Sequence, residues 1–174
     1  MDRNELARQI FQVSYIRGNF KLRSGQISNE YFDKYLFESD PALLGEIAQQ
    51  MLTLIPEDTE ILAGLEMGAI SVATALSLKT GLPAIFVRKK AKEYGTRKFS
   101  EGTDVAGKRV CVIEDVVTTG GQIIMSINDL RQLGADIKTV LCVIERDIKG
   151  SENLKKEGLE LLPLFTMDEL KESK

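Results

Sequence analysis

Short apolar, largely β-branched runs recur along this chain at residues 61–65, 84–88, 109–113, 139–144 and 159–165, and each predicts a strand. Helical patterns fill the intervals between the first four, so a strand returns roughly every 25 residues, as successive βα units require. Asp40-Pro41 opens one helix with an acidic N-cap and a proline in its first turn. Leu44, Ile47, Ala48, Met51 and Leu52 form its apolar stripe, and Pro56 lies just past its end. Another helix follows Gly121, buries Ile123, Ile127 and Leu130, and stops at Gly134, where a left-handed cap is expected. The expected class is α/β.

The third run leads directly into charge in the segment VCVIEDVVTTGGQ, residues 110–122. Its apolar part reads as a buried parallel strand. Glu114 and Asp115 stand at the carboxyl end of that strand, where open α/β sheets place their ligands, and are expected to face a crevice. The turn Thr118-Thr119-Gly120-Gly121 brings two hydroxyls and two residues without Cβ. Backbone N–H groups there can close around phosphate oxygens at the positive end of the next helix. Carboxylates accept hydrogen bonds from sugar hydroxyls, so this order of parts describes a ribose-phosphate site. A magnesium-binding pair of a nucleotide hydrolase would come with Gly-Lys-Ser or Gly-Lys-Thr, and a dinucleotide fold with G-x-G-x-x-G; neither occurs. Plain turn chemistry explains the threonines and glycines but not the two acids before them.

Composition narrows the class. At 174 residues, 43% hydrophobic, the chain is the size of a single domain with a substantial core, so one domain over 1–174 is expected. It has no apolar run of bilayer length and no basic-then-apolar leader, so no membrane partner is expected and the expected compartment is the cytoplasm. Cys111 and Cys142 fall inside apolar runs and read as small buried hydrophobes. The chain contains no histidine, which excludes Ser-His-Asp and Cys-His catalysis, His-ligated zinc and imidazole proton shuttles. A net charge of -3 argues against general polyanion binding, and no nucleic-acid partner is expected.

The segment 110–122 resembles the phosphoribosyl pyrophosphate (PRPP) motif of type I phosphoribosyltransferases. Three further segments resemble orotate phosphoribosyltransferase in particular: FKLRSGQISNEYFD (20–33) its amino-terminal hood, FVRKKAKEYGTRKFSEG (86–102) its catalytic loop, and VIERD (143–147) its orotate-binding strand end. The resemblance implies a type I phosphoribosyltransferase fold, with a mainly parallel central sheet flanked by helices and a small hood over about residues 1–40. It implies transfer of the phosphoribosyl group from PRPP to orotate, giving orotidine 5'-monophosphate and pyrophosphate in pyrimidine biosynthesis. By the same resemblance PRPP is bound by Arg88, Lys89, Lys92, Tyr94, Glu114, Asp115, Val116, Val117, Thr118, Thr119, Gly120, Gly121 and Gln122. Lys92, Asp115 and Glu114 are the expected catalytic residues, and Thr118 and Arg146 the expected orotate contacts, with Tyr31 and Phe32 covering the ring. Magnesium is implied as cofactor, carried mainly by PRPP rather than by protein ligands, and the implied unit is a homodimer whose 88–102 loop acts in trans.

Arg88, Lys89, Lys90, Lys92, Arg97 and Lys98 place six cations in eleven positions of an acidic protein. A charge run of this kind is either a solvated loop or a partner for an anion, and the phosphate motif favours the anion. Charge grows on pyrophosphate as the C1–O bond breaks, so cations closing over it stabilise the transition state preferentially. Arg146 reads either as a carboxylate ligand or as a surface ion-pair partner of Glu145 or Asp147. The chain departs from the family pattern at Tyr94, where histidine is frequent, and in GLEMGA (64–69), where many members carry a lysine near Gly68. That loop therefore relies on backbone donors and the mobile loop, with Arg23 of the hood a further cation; an ordinary βα turn is the plain alternative for Glu66 and Met67. Two rival functions remain: a phosphoribosyltransferase for another base, and a non-catalytic PRPP- or nucleotide-binding regulator.

Overall fold

Aspartates start each of the first three helices. Asp2 caps α1 (Arg3–Ser14), accepting from the Glu5 amide; Asp33 caps α2 (Lys34–Ser39), accepting from Tyr35; Asp40 caps α3 (Pro41–Met51), accepting from Ala42 and Leu43. Between α1 and α2 lies an antiparallel hairpin, β1 (Tyr15–Lys21) with β2 (Ile27–Phe32), which forms a sheet of its own. These elements belong to a computed structural model that describes residues 1–21, 25–90 and 99–173.

The main sheet has β3 (Ile61–Leu65), β4 (Ala84–Val87), β5 (Ser100–Glu101), β6 (Val110–Val117), β7 (Thr139–Glu145) and β8 (Glu160–Thr166), in spatial order β5-β4-β3-β6-β7-β8. Every pairing is parallel except β4 with β5. Helices α4 (Gly68–Thr80), α5 (Gly121–Gln132), α6 (Lys149–Lys156) and α7 (Met167–Glu172) complete the chain. One core packs Leu6, Ile10, Phe37, Ile47, Met51 and Leu76 against Leu62 and Ile113; the other packs Ile123, Ile127, Leu130 and Leu154 against Ile61, Ala63, Val112 and Val140. Burial on both faces is why these strands read as unbroken apolar runs, and each fully buried leucine or isoleucine contributes roughly 1.5–3 kcal/mol. Gly64 brings α4 down onto β3: a Cβ there would lie 2.8 Å from the Ala73 Cβ and 2.9 Å from the Ala69 carbonyl oxygen.

The mainly parallel α/β architecture agrees with expectation, with three local corrections. β6 does not stop at Ile113 but runs to Val117, because Val116 and Val117 keep pairing with Ile144 and Glu145. Glu114 and Asp115 therefore lie within the strand. The interval between β4 and β6 shows no helix among its described residues; it holds β5, paired back onto β4. In α3 the buried stripe uses Leu43, Ile47, Ala48 and Met51, while Leu44 and Leu52 are only partly covered.

Candidate functional site

Strand order reverses direction between β3 and β6, and such a switch point opens a crevice at the carboxyl ends of the two strands. A cavity of about 400 Å³ occupies that place, lined among others by Lys34, Glu66, Arg88, Lys89, Glu114, Asp115 and residues 116–122. Asp115 continues the side-chain row of Cys111 and Ile113, which takes it inward; it is 1% exposed. Asp115 borders the crevice as expected, but its carboxylate is buried and ion-paired, with Lys34 Nζ 2.5 Å from its Oδ2. Gly68 opens α4 directly opposite. A Cβ on Gly68 would fall 1.9 Å from Asp115 Oδ2 and 2.6 and 2.7 Å from the two Glu38 oxygens, so only glycine fits.

Three carboxyl groups, Glu38, Glu114 and Asp115, thus share the neighbourhood of one ammonium. Burial pushes Glu38 up to about 8, helped by the charge of Asp115 and a hydrogen bond with it; Lys34 acts against this and Asp33 adds to it. Glu114 is raised well above the usual range, first by burial and then by Asp115. For Lys34 burial lowers the pKa, but the hydrogen bond and charge of Asp115 and the charge of Glu114 outweigh it, and the net shift is upward. Glu38 Oε1 is buried and finds no donor among the described residues. A proton on Glu38 makes it the donor toward Asp115 and relieves the like-charge contact.

This has a measurable consequence. The pKa of Glu38 rises on folding from its ordinary 4.5 to about 8, so its contribution to stability is full below the lower value and is lost as pH rises through the higher one. Glu38→Gln is neutral throughout, and its Tm is expected to gain on wild type progressively between about pH 5 and 9. Thermal melts across that range check it; a Tm difference that does not change with pH would contradict a raised Glu38.

Beyond Val117 the chain turns through Thr118 and Thr119 to Gly120, which holds φ +75°, a conformation natural to glycine. Helix α5 then begins without a side-chain cap, leaving the amides of its first turn to face an anion. Helix α6 supports this turn from behind. Asn153 Nδ2 donates to the Thr119 carbonyl at 3.1 Å, and Gly150 sits where a Cβ would be 2.6 Å from Val117 Cγ1 and 3.1 Å from the Thr118 carbonyl oxygen.

Arg88 and Lys89 border the same cavity from the end of β4. Arg88 Nε lies 3.4 Å from Glu101, and the Lys89 amide donates to Glu66 Oε1 at 2.5 Å, so Glu66 ties the start of the basic segment to the turn after β3. The Glu66–Met67 peptide in that turn is cis. Lys92, Tyr94, Arg97, Lys98 and Arg23 lie outside the described residues. Arg146 lines a second, larger cavity of about 740 Å³ with Lys21, Tyr31, Phe32 and Lys171 beneath the hood hairpin. Its amide donates to the Val117 carbonyl at 2.7 Å, so Arg146 and Thr118 follow neighbouring, paired strand ends.

The phosphoribosyl transferase domain family model matches residues 38–165. Orotate phosphoribosyltransferase of a Nocardioides species is 52% identical, over 95% of this chain and 92% of its own length. The chain belongs to the orotate phosphoribosyltransferase family. A solved orotate phosphoribosyltransferase from Mycobacterium tuberculosis superposes with TM-score 0.87 at 31% identity, covering 98% of this chain and 99% of that one. A structure of the same enzyme in complex with PRPP gives TM-score 0.84 at 29% identity, with the same coverage.

As an orotate phosphoribosyltransferase, the chain is a glycosyltransferase-type enzyme with a mainly parallel sheet, and no helix among its described residues is long and apolar enough to cross a membrane. Also among the described residues, no group of three or more His, Cys, Asp or Glu side chains is arranged to hold a metal ion. Sequence reasoning passed over Lys34, Glu38 and the supporting pair Gly150 and Asn153. Lys34 carried one local signal: a cation in the first turn of a helix opposes the helix dipole, which suggests that something other than helix stability places it there.

Proposed function

We propose that this orotate phosphoribosyltransferase transfers the phosphoribosyl group from PRPP to orotate across the two neighbouring cavities. The observation that supports this most directly is the pairing of Val117 with Glu145, which sets the Thr118 turn and Arg146 side by side at the ends of β6 and β7. The phosphate turn, Val116 to Gln122, anchors the 5-phosphate through backbone N–H groups and threonine hydroxyls. Asp115 and Glu114 hold the ribose hydroxyls as positive charge develops at C1, with Asp115 accepting and a protonated Glu114 able also to donate. Arg88, Lys89, Lys92 and Tyr94 gather at the departing pyrophosphate, with Lys92 the catalytic cation. Arg146 fixes the orotate carboxylate by a bidentate contact, Thr118 contacts the base, and Tyr31 and Phe32 close the hood over it.

The donors facing the ribose end are carboxyl oxygens, the type that suits magnesium. Magnesium would enter with PRPP, carried mainly by substrate oxygens, with Glu114 and Asp115 the carboxyl groups available to help hold it, and would supply positive charge against the pyrophosphate. The working unit is a homodimer in which the 88–102 loop serves the neighbouring subunit, and the compartment is the cytoplasm. Mixing the protein with PRPP, magnesium and orotate should deplete orotate absorbance, with uracil and hypoxanthine inert as parallel acceptors. Turnover of another base instead would move the acceptor assignment, and PRPP binding without turnover of any base would point to a regulator.

A further inference from the structure

Lys34 is a charged group at the heart of the site to which the reaction above gives no part. Its Nζ lies 2.5 Å from Asp115 Oδ2, yet its side chain keeps 31% exposure while that of Asp115 keeps 1%. It borders the same 400 Å³ cavity as the phosphate turn and the basic residues Arg88 and Lys89. The turn 64–69 carries no cation of its own. The missing Gly68 Cβ position and the Lys34 ammonium both lie within 2.5 Å of one oxygen, Asp115 Oδ2, so the ammonium is set against the start of α4, where that turn ends. Gly68 leaves the room in which this happens. Behind it, Glu38 is 8% exposed and its carboxyl shares the space at Gly68 with Asp115, so a protonated Glu38 can donate to Asp115 when Lys34 leaves.

A ribose hydroxyl that binds Asp115 Oδ2 competes with the ammonium 2.5 Å away. We propose that Lys34 is a pyrophosphate-binding residue that guards Asp115 before substrate arrives: ribose hydroxyls displace its ammonium from Oδ2, and the ammonium turns to the pyrophosphate oxygens beside the 64–69 turn. This rests on the PRPP reading of the cavity. The exchange conserves charge pairing, since the cation leaves a carboxylate that gains hydroxyl donors and meets an anion that lacks a loop lysine. The four-carbon stem of lysine permits the swing without movement of α2. Lys34 thereby supplies from the hood side a cation that the turn does not carry.

The test separates the two halves of the donor. Binding of ribose 5-phosphate and of inorganic pyrophosphate with magnesium is measured calorimetrically for wild type, Lys34→Met and Lys34→Gln, the glutamine retaining a donor to Asp115 should the methionine variant fold poorly. Both variants are expected to bind ribose 5-phosphate at least as tightly as wild type, having lost the charged competitor for Asp115, and pyrophosphate about tenfold or more weakly, as loss of a charge-assisted contact implies. Steady-state kinetics should show the KM for PRPP raised and that for orotate unchanged. Pyrophosphate affinity equal to wild type, or equal losses for both ligands, overturns the proposal. Wild type that binds neither ribose 5-phosphate nor PRPP overturns the phosphoribosyl reading itself, and this proposal with it.

Discussion

Asp115→Asn is expected to lower kcat/KM by about 10²–10³, the scale associated with removing one well-placed electrostatic group from an active site, while leaving Tm close to wild type. The asymmetry follows from the surroundings. Asparagine keeps the size and one acceptor oxygen but loses the charge that meets ribose as C1 becomes cationic. On the folding side, Lys34 loses its partner, but its side chain is 31% exposed and can turn to solvent. Removing the Asp115 charge also relieves Glu38 and Glu114, whose ionised forms it opposes. Paired kinetics and thermal melts decide the matter: parallel loss of activity and stability would make Asp115 a structural residue rather than a catalytic one.

Gly68→Ala should damage both properties. The added Cβ falls 1.9 Å from Asp115 Oδ2 and within 2.7 Å of both Glu38 oxygens, and none of these can simply step aside. Asp115 is short, buried and held by Lys34; Glu38 is packed into the same space. Overpacking of this kind costs roughly 1–3 kcal/mol, and the displaced Asp115 should lower kcat/KM at least about tenfold. Gly45→Ala is the matched control. It lies within α3 with open space at its Cβ, and alanine there should be neutral or stabilising by roughly 0.5–1 kcal/mol. If Gly68→Ala behaves like Gly45→Ala in denaturant titration and assay, the close approach of Gly68 to Asp115 is not a feature of the working enzyme.

The central parallel strands were legible because they are covered on both faces, which leaves uninterrupted apolar runs such as Ile61–Leu65. The end of β6 was not legible, since two acids interrupt the run and only pairing with β7 shows that Val116 and Val117 continue it. The hood hairpin has a largely exposed pattern with little alternation, so its sequence carries resemblance but no periodic signal. The phosphate turn could be read residue by residue, because turn, glycine and helix start are all local. The Lys34 contact could not: it joins residues 81 positions apart, and Glu38 looks like any helical glutamate until Gly68 and Asp115 are brought beside it. Local chemistry was visible in the chain, whereas the counter-ions of that chemistry were set by packing.

The two margins of the main sheet have a bearing on how the chain behaves while it is still being made. Parallel pairing joins distant segments and forms late, so unpaired backbone waits in the meantime for any strand that passes. One margin is β5, only two residues long and antiparallel to its neighbour; the other is β8, interrupted by Pro163, which has no N–H to offer. Neither presents a long ladder for a second chain to extend. Crowded nascent copies are thereby steered away from growing into one another as fibrils, and association is left to helices and loops, where recognition depends on side chains.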